Sequence, residues 1–211
     1  MGPAQELQFV FRTATAVLPV AVYFLVLGLL NSRGHPQMLS ARLDFALLWT
    51  AMSPLFVVPA LHLVGISAAT VFLAALIVGA TALVLGPRGH RWVVYNAMPS
   101  QARRTVVEAL RRLRPGARLA DGRFEDPDGR FAVEVTEFSL LRNVSICFRG
   151  PEDLSRRFSA ALRDSLGRMS VETAPSAVAL LLVATAMLVA PLAMMANQAG
   201  QIARLLTDLL P

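Results

Sequence analysis

Residues 45–87 read FALLWTAMSPLFVVPALHLVGISAATVFLAALIVGATALVLGP, a run of 43 residues without Asp, Glu, Arg or Lys. A helix that crosses a lipid bilayer needs about 20 consecutive apolar residues, so this run is long enough for two. Gly65 lies near its middle, and a glycine there permits a tight turn between antiparallel helices. The sequence therefore predicts transmembrane helices at about 45–64 and 66–85.

Two further uncharged runs, residues 13–32 and 173–203, lie on either side of this region. They predict transmembrane helices at about 13–30 and 176–196. No small-x-small cleavage site follows the first of them, so we expect it to be a retained helix and not a signal peptide.

A polar block separates the third and fourth predicted helices. Residues 88–172 carry 16 of the 20 arginines and 11 of the 14 acidic residues of the chain. The predicted fold is therefore a membrane α-helical protein with four transmembrane helices and an inserted small α+β domain. Its predicted parts are the first three transmembrane helices in 1–87, the α+β domain in 88–172, and the fourth transmembrane helix with an amphipathic C-terminal segment in 173–211.

Arginines near the ends of the predicted helices give the orientation, because basic residues accumulate on the cytoplasmic side. The side that carries the polar block has ten such residues: Arg33, Arg42, Arg88, Arg91, Arg103, Arg104, Arg156, Arg157, Arg163 and Arg168. The other side has only Arg12 and Arg204. We therefore expect residues 88–172 in the cytoplasm, both termini outside, and a bacterial inner or plasma membrane as the location.

Periodicity inside the polar block predicts two helices and a small sheet. Apolar residues recur at helical spacing in 99–114 and again after Glu152, and they alternate in strands at about 118–125, 130–138 and 141–149. Residues 92–95 offer a fourth strand. The expected architecture is two helices on one face of a three- to four-stranded antiparallel sheet.

Basic and aromatic residues of this domain are the candidate binding residues. Arginine near a membrane attracts anionic lipid headgroups, and tryptophan favours the membrane interface. The opposite face of the sheet, which carries Glu134, Thr136, Arg142 and Arg149, is expected to be exposed and either simply solvated or a docking surface for another protein. The residues predicted to contact lipid headgroups or a partner are Arg88, Arg91, Trp92, Arg103, Arg104, Arg142 and Arg149.

No motif for a cofactor, a metal ion or a catalytic nucleophile appears in the sequence. The three histidines, His35, His62 and His90, are scattered, and Cys147 is the only cysteine. Acidic residues alternate with the arginines of the polar block, which does not favour nucleic-acid binding. We therefore expect no cofactor and no nucleic-acid partner.

The leading hypothesis is a non-enzymatic accessory, assembly or regulatory subunit with membrane lipids and a protein partner or a second copy as its contacts. One alternative is a membrane enzyme that acts on a lipid-like substrate at the cytoplasmic interface. The other is a small transporter or channel component built around the second predicted helix, since Pro54 and Pro59 predict a bent or broken helix there.

Overall fold

The computed structural model describes residues 3–113, 118–120, 123–138, 142–197 and 199–200. Its elements, in chain order, are α1 (Pro3–Ser32), β1 (Gln37–Ser40), α2 (Ala41–Val64), α3 (Ala68–Leu85), β2 (His90–Tyr95), α4 (Pro99–Leu113), β3 (Arg118–Ala120), β4 (Arg123–Glu125), β5 (Ala132–Phe138), β6 (Asn143–Arg149), α5 (Glu152–Gly167) and α6 (Pro175–Asn197). Residues 201–211, most of the predicted amphipathic C-terminal segment, lie outside the described residues.

Among the residues that the structure describes, four helices are long and apolar enough to cross a membrane, as the sequence predicts. They are Gln8–Ser32 within α1, and α2, α3 and α6 over their full lengths, with mean hydropathies of 2.2, 1.7, 2.5 and 2.4. None of the residues of α3 is buried. A helix that is apolar on all sides and has no buried side chain suits a lipid environment.

Two of these helices differ in detail from the prediction. The first helix begins at Pro3, about ten residues before the predicted transmembrane segment, and proline is well tolerated at this first helical position. The second runs without a break from Ala41 to Val64 although it contains Pro54 and Pro59. The prolines therefore do not divide it into two half-helices.

The chain forms two compact units, and each is built from separated segments. The helix unit comprises Met1–Val26, Leu47–Val84 and Leu180–Pro211. The sheet unit comprises Leu27–Ala46 and Leu85–Ala179. The sheet unit thus extends beyond the predicted 88–172 and includes the C-terminal end of α1, the whole of β1 and the first turns of α2.

Over the described ranges, the sheet has six strands in the order β1-β2-β6-β5-β4-β3, and every neighbouring pair is antiparallel. This corrects the expected three to four strands. The segment Gln37–Ser40 forms a strand by pairing with β2, although its sequence has no strand signature of its own. The strand expected at 118–125 is instead two short strands, β3 and β4, that pair with each other.

Helices α4 and α5 cover one face of this sheet and enclose the hydrophobic core. The strand residues on that face alternate as a pleated strand requires, and Val133, Val144, Ile146 and Phe148 are almost completely buried. The helices contribute the apolar positions that helical spacing predicted: Ala102, Val106 and Leu110 from α4, and Phe158, Leu162 and Leu166 from α5. The other face of the sheet points away from these two helices.

Candidate functional site

The seven predicted binding residues do not form one site. Arg88, Arg91 and Arg149 lie at one end of the sheet, where β2 begins and β6 ends. Arg142 immediately precedes β6 and is therefore at the opposite end of that strand. Arg103 and Arg104 are exposed on α4.

Trp92 is half-buried on the face of the sheet that α4 and α5 cover. It packs against the buried core cluster, and its ring centroid is 5.9 Å from that of Phe158. Arg142 has a φ of 49°, so it occupies a left-handed turn and not the strand position that alternation predicted. Its carbonyl oxygen accepts a hydrogen bond from the backbone N–H of Ala97 at 3.0 Å.

We call Arg88, Arg91 and Arg149 the basic corner. Arg91 is the register partner of Cys147, and Arg149 lies two residues beyond Cys147 on the same face of the same strand. Diagonal neighbours of this kind have Cβ atoms about 7–8 Å apart. Arg88 precedes β2 by two residues, and all three arginines are exposed.

The charges of the basic corner are only partly balanced. The Arg149 guanidinium lies 3.4 Å from a Glu134 carboxylate oxygen, and the same oxygen lies 3.8 Å from Nε of Arg123. Within the described ranges, neither Arg88 nor Arg91 has an ion-pair partner. Two guanidinium groups at this end of the sheet are thus available to an anion.

The surface that α4 and α5 leave uncovered is named here the open sheet face. It runs across three strands, because Thr136 pairs with Ser145 and Glu134 with Cys147, and Arg123 pairs with Glu134. Thr136, Ser145 and Arg123 are exposed, and Cys147 is half-buried. Of the residues predicted on this exposed face, Thr136 and Arg149 are exposed, Glu134 is half-buried, and Arg142 precedes the strand.

A buried polar junction, which the sequence did not predict, joins β2 to the end of α1. Asn31 and Asn96 are each 1% exposed. The side-chain oxygen of Asn31 accepts a hydrogen bond from the backbone N–H of Asn96 at 3.2 Å, and the side-chain amide of Asn96 donates to the Arg33 carbonyl at 2.8 Å. The sequence offered one signal for this junction: Asn96 directly follows a strand, and asparagine tolerates the left-handed backbone of a turn.

Two further contacts tie the same part of the sheet unit together. The Tyr95 hydroxyl donates a hydrogen bond to the carboxylate of Asp44 in the first turn of α2. The backbone N–H of Val171 donates to the Gly34 carbonyl at 2.9 Å. The last turn of α1, the first turn of α2 and the segment before α6 are therefore all fixed around the end of β2.

An ion-pair network on the helical layer changes the titration of two groups. One carboxylate oxygen of Asp164 accepts hydrogen bonds from Arg112 and Arg168, each at 2.8 Å. These bonds, led by that from Arg112, lower the pKa of the Asp164 carboxyl. The bond to Asp164 also raises the pKa of the Arg112 guanidinium.

The shift at Asp164 predicts a pH dependence of stability. A pKa that is lower in the folded than in the unfolded protein stabilises the fold above the unfolded value, and this contribution is lost as the pH falls through the folded value. We expect Asp164→Asn to make the melting temperature depend less on pH below 3.8, measured by circular dichroism in detergent. The effect should be small, because water screens exposed ion pairs. Glu172→Gln, at an exposed acid with no ion pair in the described ranges, is the control, and equal pH slopes for Asp164→Asn and the wild type would contradict the assignment.

An apolar groove lies between α2 and α3 in the helix unit, with a volume of about 240 Å³. The Trp49 indole N–H donates to the Val78 carbonyl at 3.0 Å and joins the two helices. The hydroxyls of Ser53 and Thr81 in its lining are bonded to carbonyls of their own helices. The groove therefore suits an apolar chain better than a polar solute. Its lining residues are Trp49, Ser53, Phe56, Val57, Ala60, Ala74, Ile77, Val78 and Thr81.

In the part of the chain that the structure describes, no three His, Cys, Asp or Glu side chains come together as metal ligands. Comparison with known protein families, curated proteins and solved structures gives no match to this chain. The geometry of the sheet unit is thus the basis for assigning a role.

Proposed function

We propose that the protein is a non-enzymatic, multi-pass integral membrane protein that acts as an accessory, assembly or regulatory subunit. In this proposal, the four apolar helices anchor it in a bacterial inner or plasma membrane, with both termini outside. The sheet unit lies in the cytoplasm, and a protein partner or a second copy docks on the open sheet face. The observation that carries the proposal is the exposure of Arg123, Thr136, Ser145 and Arg149 on that face, whereas α4 and α5 cover the other face of the sheet.

The chemistry of the open sheet face supports a protein as its occupant. Charged residues of both signs, Arg123 and Glu134, lie beside the hydroxyls of Thr136 and Ser145. Half-buried Val93 adds apolar surface on the same side of β2. Apolar groups within a polar, hydrogen-bonding surround are typical of non-obligate protein interfaces.

Site-specific photocrosslinking tests the proposal. We expect that replacing Ser145 by p-benzoylphenylalanine in the full chain, with irradiation of native membranes, gives one discrete higher-mass band. The physical reason is that Ser145 is exposed near the middle of the open sheet face and its side chain points away from α4 and α5. Mass spectrometry of the band separates a different protein from a second copy.

The matched control places the same photocrosslinking residue at Ala160, which is exposed on α5. We expect no discrete product there, since the helical layer is not part of the proposed surface. Equal product patterns at the two positions, or none at Ser145, would be evidence against docking on the open sheet face.

The groove between α2 and α3 favours a second candidate function, in which the protein binds and acts on a lipid-like molecule. Its lining is apolar and its hydroxyls are already bonded within their helices, so an acyl chain is the ligand it suits. Protein-dependent movement of a fluorescent lipid across liposomes would support this candidate over the accessory role.

A further inference from the structure

We propose that the basic corner is a binding site for the phosphate of anionic membrane lipids, so that Arg88, Arg91 and Arg149 hold the sheet unit against the headgroup layer. Arg91 and Arg149 lie at the edge of the open sheet face, so this site adds a lipid contact beside the docking role proposed for that face. It rests on the anchoring part of the proposed function, namely that α2 and α3 cross the membrane.

Connectivity places Arg88, the first residue of the basic corner, close to headgroup depth. Arg88 follows Leu85, the last residue of α3, by three residues. Three residues of extended chain span at most about 11 Å. The end of a membrane-spanning helix lies where the hydrocarbon core meets the headgroups, and Arg88 is therefore within reach of lipid phosphates.

The start of α2, a second point at which the chain enters the membrane in this proposal, supplies another arginine, Arg42. Arg42 is the second residue of α2 and follows Ser40, the register partner of Trp92, by two residues. Arg42 is thus close in the chain to the end of β2 where Arg91 lies, and the first turn of α2 reaches from there to Tyr95 near the other end of the strand. Arg42 is exposed and has no ion pair among the described residues.

The three side chains of the basic corner suit a phosphate chemically. Guanidinium groups donate paired hydrogen bonds to phosphate oxygens. Arg91 and Arg149 project from one face of neighbouring strands, at a separation that long side chains can bridge. The Arg149 guanidinium lies 3.4 Å from the Glu134 carboxylate. An anion that binds the guanidinium more tightly can displace this contact.

The helical layer offers a matched set of arginines without this placement. Arg111, on α4, and Arg157 and Arg163, on α5, are exposed and carry no ion pair within the described ranges. Each lies within a helix of the sheet unit, away from the ends of α2 and α3 in the chain. They control for the total charge of the protein.

The test measures lipid binding to the full chain in a neutral detergent by native mass spectrometry. The probes are dioleoylphosphatidylglycerol, dioleoylphosphatidylcholine and soluble glycerol phosphate. We expect the wild type to prefer phosphatidylglycerol. Arg88→Gln/Arg91→Gln/Arg149→Gln should raise its Kd about 30-fold, from the loss of two unpaired charges and one shared charge near the surface. Arg111→Gln/Arg157→Gln/Arg163→Gln should change it less than about twofold.

Other outcomes overturn the proposal. Equal losses in the two triple variants would mean attraction by net charge alone. Tight binding of glycerol phosphate would mean a soluble anion site. Unchanged lipid binding with loss of the Ser145 crosslink would assign the arginines to the protein interface instead. If the triple variant does not fold, Arg88→Gln/Arg91→Gln leaves the Arg149–Glu134 ion pair intact and should still weaken phosphatidylglycerol binding at least about tenfold.

Discussion

Phe158→Ala is expected to destabilise the sheet unit by about 3–5 kcal/mol, the usual cost of deleting a buried aromatic side chain. Phe158 has no exposed surface. Its ring centroid is 5.4 Å from that of Phe148 and 5.9 Å from that of Trp92, so it joins α5 to two central strands. A loss of that size is a large part of the roughly 5–15 kcal/mol that keeps a domain folded.

Pulse proteolysis of the full chain in urea, in detergent, measures this effect as a lower midpoint for cleavage within 85–179. The control is Phe72→Ala on α3, because that side chain is 70% exposed and is not part of the core of the sheet unit. A midpoint for Phe158→Ala equal to that of Phe72→Ala would show that the described core is wrong.

Asn96→Ala is expected to cost the sheet unit about 2–4 kcal/mol. The substitution removes the hydrogen bond to the Arg33 carbonyl at a buried position, and an unpaired buried group costs about 1–3 kcal/mol. Asn96 also has a φ of 55°, and left-handed backbone costs an alanine about 1–2 kcal/mol. The same urea titration gives the magnitude.

Asn96→Gly separates the two causes. Glycine loses the hydrogen bond but adopts a positive φ without steric cost, so we expect it to be about 1 kcal/mol more stable than the alanine variant. If the alanine variant is as stable as the wild type, the polar junction between α1 and β2 does not contribute to the fold.

Composition and periodicity were enough to predict the secondary structure of most of the chain. The four apolar helices were predictable from uncharged runs about as long as a bilayer-spanning helix requires. Helices α4 and α5 were predictable from apolar residues at helical spacing, because each helix buries only the one face on which those residues lie. The alternation in β5 and β6 likewise predicted Val133, Ile146 and Phe148 as core residues, and they are buried.

Pairing between distant segments was not predictable in the same way. The four residues of β1 are a strand only because β2 lies beside them, and strand propensity is strongly context-dependent. Strand register is also what brings Arg91 close to Arg149 and leaves Arg142 at the far end of β6. The sequence therefore supplied the arginines but not their grouping.

The insertion of β1 between α1 and α2 makes the sheet unit impossible to excise as one continuous piece. A transplanted fragment of residues 88–172 would leave the outer edge of β2 without its partner strand. An unpaired edge is a template for association with other chains, so such a fragment is expected to aggregate unless residues 34–40 are supplied with it. During synthesis, β1 cannot pair with β2 until the ribosome has passed α3. About 50 residues are made between the end of β1 and the start of β2.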